Sequence, residues 1–92
     1  NALGSDTHVQ YAQGLVHIQL PDEMKDQAVS GTAYFYCPTA AGNDRRIKLN
    51  PDKNGLQVID GHELKAASYI VKLSWSAGNR QYYSEKNLII SR

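Results

Sequence analysis

Three features of this sequence predict an all-β fold, a two-sheet immunoglobulin-like sandwich of about seven short strands. Its apolar residues recur with a period of two rather than the 3.6 of a helix. The alternating stretches follow one another at spacings of about ten residues, punctuated by Gly, Pro, Asn and Asp. Between them, nothing carries a helical pattern longer than a single turn.

A weak strand opens the series at residues 9–12. Residues 15–20 then place Val16, Ile18 and Leu20 on one face and His17 and Gln19 on the other, with Gly14 before them and Pro21-Asp22 closing the run. In residues 32–37, Ala33, Phe35 and Cys37 oppose Thr32, Tyr34 and Tyr36. Pro38 ends that strand, because proline has no N–H to give to a ladder. Residues 45–49 set Arg45, Ile47 and Leu49 against Arg46 and Lys48, and residues 56–59 form another short strand. The clearest alternation is in residues 69–75, where Tyr69, Val71, Leu73 and Trp75 face one way and Lys72 and Ser74 the other. Gly78 supplies the freedom a hairpin needs, and residues 81–90 return with Tyr82, Ser84, Lys86, Leu88 and Ile90 in phase. Residues 60–67 have room for one helical turn. Trp75 is expected to be buried between the sheets, close to Phe35 and Val71.

The chain has 92 residues, 41% of them hydrophobic and 21% charged, which suits one folded domain over residues 7–92. Asn1-Ala2 reads as an expression remnant, and residues 1–6 as a flexible N-terminus. A chain of this size buries roughly 64% of its surface on folding, enough for a thin two-layer core with little room for a deep cavity. No apolar run approaches the ~20 residues of a membrane helix, and no signal peptide is apparent. Ten Lys and Arg against nine Asp and Glu leave a formal charge of +1. The densest basic spot, Arg45, Arg46 and Lys48, reads as a solvated strand face. It is far smaller than the stripe a nucleic acid requires. Cys37 is the single cysteine, so no intrachain disulfide can form.

The motifs that could carry chemistry are weak. Asn50-x-Asp52-x-Asn54-Gly55 alternates oxygen donors before a glycine, as calcium loops do. Its first donor is Asn, however, and Gly61 stands where a bidentate Glu belongs, so a plain turn is expected. His8, His17, Met24, Cys37 and His62 are ligand types that suit copper, yet no two have a chelating spacing. Cys37 is in phase with Phe35 and reads as a buried thiol, and His17 as an ordinary surface histidine. No Gly-x-Ser-x-Gly turn, Cys–His signature or phosphate loop is present. Asp22 with Glu23, and Asp60 with Glu63, lie in turns where solvated acids are routine. The expectation is a protein that is not an enzyme and carries no metal or cofactor. Tyr34 and Tyr36 share an outward face and are the candidate partner-binding residues, since tyrosine is enriched at interfaces.

The order of segments adds a resemblance. Gly14-Leu15-Val16-His17-Ile18, residues 31–39 reading Gly-Thr-Ala-Tyr-Phe-Tyr-Cys-Pro-Thr, Ala67-Ser68-Tyr69 through Leu73-Ser74-Trp75, and Gln81-Tyr82-Tyr83-Ser84-Glu85-Lys86 together resemble the extracytoplasmic domain of FixH-like proteins of the Bacteroidetes type. The likeness runs from about Val9 to Ile90. Cys37 stands where that pattern usually has Arg, and Ala67 where it usually has Gly. The resemblance implies an N-terminal membrane helix preceding this domain and a place outside the bacterial cytoplasmic membrane. It also implies an accessory role in assembling a haem–copper respiratory oxidase, with other membrane proteins (oxidase subunits or a copper transporter) as partners. The family brings no catalytic residues with it. The competing reading is a generic bacterial surface module that binds a carbohydrate, peptide or protein.

Overall fold

The computed structural model describes residues 7–91. The remnant read at residues 1–6 lies outside the described residues.

Seven strands form two antiparallel sheets with no α-helix among the described residues: β1 (His8–Ala12), β2 (Leu15–Gln19), β3 (Val29–Tyr36), β4 (Arg45–Leu49), β5 (Leu56–Asp60), β6 (Ala67–Ala77) and β7 (Arg80–Ile90). The smaller sheet has the order β1-β2-β5 and the larger β4-β3-β6-β7. The chain changes sheet three times, between β2 and β3, between β4 and β5, and between β5 and β6. Each sheet therefore takes strands from both halves of the sequence. Single 3₁₀ turns occupy Asp22–Met24, Ala41–Asn43 and Gly61–Glu63. The last is the helical turn expected within residues 60–67.

Two hairpins follow directly from backbone freedom. Gln13 and Gly14 both have positive φ, 54° and 78°, which is the primed turn that matches the twist of adjacent strands β1 and β2. Gly78, at φ 61°, is the first central residue of the β6–β7 turn, where Ala77 pairs with Arg80.

The core is the sum of the inward positions. Val16, Ile18 and Ile59 come from the small sheet. Ala33, Phe35, Leu49, Tyr69, Val71, Leu73, Trp75, Leu88 and Ile90 come from the large one, and all are buried. Tyr69 does more than fill space. It stands near the start of β6 with its ring edge-on to Phe35, and its hydroxyl donates to the Lys65 carbonyl at 2.6 Å. A tyrosine bonded back across the corner between the fifth and sixth strands is the tyrosine corner of immunoglobulin-like sandwiches.

Trp75 is buried as expected, but its surroundings differ from the expectation. It pairs with Gly31 on one side and Tyr82 on the other, and its ring stacks on Tyr82 with centroids 5.5 Å apart. Its Nε1–H donates to Met24 Sδ at 3.1 Å. Phe35 lies instead opposite Val71, four residues along β6 and so about 13 Å away. The register of β3 against β6, which alternation does not specify, sets that separation. Gly31 is what lets the strands close here. A Cβ added to it would sit 2.6 Å from both Cα and Cβ of Trp75, closer than real carbons approach.

Candidate functional site

The outer face of the four-stranded sheet is assembled by register. Tyr34 on β3 pairs with Arg46 on β4 and Lys72 on β6, while Thr32 pairs with Lys48 and Ser74. Ser74 in turn faces Tyr83 on β7, and Lys72 faces Glu85. Alternation sends all of these side chains away from the core.

The tyrosines on this face are held. The Arg46 guanidinium lies 4.5 Å from the centre of the Tyr34 ring, and the Lys72 ammonium 4.9 Å from that of Tyr36. Such contacts are worth about 0.5–1 kcal/mol each at exposed sites. The two rings pack against each other at 5.9 Å. The Tyr34 hydroxyl donates to Asp44 Oδ2 at 2.9 Å, and the other oxygen of that carboxylate accepts the Cys37 amide at 2.8 Å. One aspartate thus ties the β3–β4 connection to the ring. The hydrogen bond to Asp44 raises the Tyr34 pKa above the ordinary phenol value. Desolvation and the carboxylate charge push the same way, against the pull of Arg46. Tyr83 donates to Glu85, and that bond raises its pKa too, helped by desolvation and the glutamate charge.

Between these side chains the sheet forms an open basin of about 780 Å³, with Tyr34, Arg46, Lys48, Lys72, Ser74 and Tyr83 on its walls. Of the two tyrosines singled out from the sequence, Tyr34 lines the basin. Tyr36 lies one row beyond it, joined through Lys72 and the Tyr34 ring. By alternation alone, Arg46 and Lys48 read as a solvated face and Lys72 as outward-pointing. Each residue's direction was readable from alternation. The strand order that puts β3 between β4 and β6, and so gathers three cations around Tyr34, was not.

The other candidates are spread across the fold. Asp52 Oδ1 accepts the amides of Asn54 and Leu56 at 2.9 and 3.0 Å, so the alternating donors of residues 50–55 build a turn closed by Gly55 at φ 78°. Of the five soft-ligand residues, Met24 is engaged by Trp75. Cys37 is buried beside Thr39 and Asn43, and His62 Nδ1 lies 2.9 Å from Asp60. His8 and His17 sit on β1 and β2. Among the described residues no three His, Cys, Asp or Glu side chains gather as a metal site would require. His17 departs from its reading as an ordinary surface histidine. It is half-buried between Gln10 and Val58, and its Nδ1 is buried with no hydrogen-bond partner among the described residues. Neighbouring strands on both sides cover the outer face of a central strand, which a single alternating segment does not reveal.

Comparison with known proteins settles the lineage: the FixH family model matches residues 1–88, nearly the whole chain. The chain belongs to the FixH family. Membership links this FixH domain to an accessory role around cytochrome oxidase or nitrogen fixation, in a family of membrane-associated proteins with an extracytoplasmic domain. No curated protein and no solved structure matches it. Among the described residues, no helix is long and apolar enough to cross a membrane.

Proposed function

We propose that this FixH domain is a non-enzymatic accessory module, tethered to the bacterial cytoplasmic membrane and lying on its extracytoplasmic side, that serves assembly of a haem–copper respiratory oxidase. It acts by contact with other membrane proteins, either oxidase subunits or a copper transporter. The family match over residues 1–88 carries this reading. The geometry supports a docking mode. Tyr34 and Tyr36 face outward and are fixed by Arg46, Lys72 and Asp44, so an approaching partner meets a surface whose side chains are already ordered. Ordering such side chains on binding otherwise costs about 0.5–1.5 kcal/mol apiece. A docking role also suits a fold whose acids serve local structure: Asp44, Asp52 and Asp60 all accept backbone amides.

The test is deletion of the gene, followed by haem absorption spectra and oxidase activity of the membranes. Loss of assembled oxidase, restored by the wild-type gene, is the expected result. Normal oxidase in the deletion strain would defeat the assembly role and leave a generic surface-binding module as the better reading.

A further inference from the structure

We propose that the basin on the four-stranded sheet is a docking site for an acidic, extended segment of a protein partner, whose carboxylates meet Arg46, Lys48 and Lys72. This rests on the reading of that face as the docking surface and names the chemistry it takes.

The walls of the basin carry three cations, Arg46, Lys48 and Lys72, and no carboxylate; the nearby carboxylates are held in local hydrogen bonds. Asp44 accepts from the Tyr34 hydroxyl and the Cys37 amide, and Glu85 accepts from Tyr83. Arg46, Lys48 and Lys72 form no ion pair among the described residues. Lys72 is opposite Glu85 in the register, yet its ammonium leans over the Tyr36 ring instead. A cation resting on a ring still has its charge and N–H donors to offer an incoming anion. Arg46 and Lys72 flank Tyr34 on the two adjacent strands, which places them about 10 Å apart, two strand spacings. Side chains on one face of an extended chain recur about every 7 Å, and the long stems of Arg46 and Lys72 span the small remainder, so alternate carboxylates of one segment can engage both. Ser74 and Thr32 offer hydroxyls between the charges for the segment's backbone. The partners proposed above are proteins, and the open basin of about 780 Å³ has room along its row of cations for an extended chain.

The test uses the 92-residue chain and a short fluorescent peptide of alternating Glu and Ser, followed by anisotropy. Binding should saturate and weaken as salt shortens the screening length from about 10 Å at 0.1 M to about 3 Å at 1 M. Lys48→Glu and Lys72→Glu should each weaken it about threefold or more, in proteins whose melting curves match the unaltered chain. Should either fail to fold, Lys48→Gln and Lys72→Gln give the same reading with smaller steps. A Gln/Ser peptide that binds equally well would overturn the proposal, as would variants with unchanged affinity or the absence of peptide binding. Sedimentation with phosphatidylglycerol vesicles but no binding of the acidic peptide would overturn it in favour of a membrane contact. The outcome is separable from the assembly role: normal oxidase in a deletion strain would remove that role and leave the peptide result standing.

Discussion

Trp75 shows how much of this fold depends on single side chains. It is 3% exposed, stacked on Tyr82, and gives its indole N–H to a thioether in the turn that links the two sheets. Truncation of Trp75 to Ala is expected to cost ~3–5 kcal/mol, read as a lower denaturant midpoint in urea. Tyr69→Phe should cost far less, about 1 kcal/mol, because it removes the bond to Lys65 and leaves the ring against Phe35. Tyr34 and Tyr83 give a pH-dependent signature. Both phenols hold their protons more tightly than the ordinary value of 10.0, chiefly through bonds to Asp44 and Glu85. The folded chain therefore binds more protons than the unfolded chain between pH 10 and the raised folded values. The stability from these bonds is complete below pH 10 and is lost as pH rises through that window. Alkaline titration of tyrosine absorbance should show a late component that shrinks in Tyr34→Phe and again in Tyr83→Phe. Titration of every tyrosine near 10 would contradict those bonds.

At the scale of elements, the inward and outward sides of β2, β3, β4, β6 and β7 could be read from alternation, and Pro38, Gly78 and the turn residues 50–55 fell where strands end. β3 and β6 are longer than the pattern suggested, because Val29 and Ser30 pair with Ala77 and Ser76 beyond the alternating centre of each strand. What stayed hidden depends on contacts distant in sequence: the register that moves Trp75 away from Phe35, and the basin. The β4–β5 link illustrates the difference. Its composition resembles a cation loop, but Asp52 spends its carboxylate on two backbone amides. Adding calcium should leave the melting temperature unchanged, whereas Asp52→Ala should lower stability by roughly 0.5–1.5 kcal/mol. A calcium-dependent rise in melting temperature, abolished by Asp52→Ala, would show the link to be a cation site. Gly31 is a second element-level constraint. A methyl group there collides with the backbone of β6, so Gly31→Ala should destabilise by about 1–3 kcal/mol in a urea titration.

For the whole molecule, the sandwich buries one face of each sheet and presents the other. The two outer faces are unlike. The small sheet shows Leu15 and Val58 around a half-buried His17, while the large sheet shows tyrosines held by Arg46 and Lys72. The large face is the one proposed above to engage the partner of this FixH domain. The most direct measurement is the amount of assembled haem–copper oxidase in membranes of strains carrying Lys48→Glu with Lys72→Glu, beside a strain with Val58→Ser on the opposite sheet and with accumulation of each variant checked by immunoblot. Oxidase reduced towards the deletion level by the paired charge reversal and unaffected by Val58→Ser is the predicted result. Full oxidase in the charge-reversed strain, at normal protein level, would contradict it.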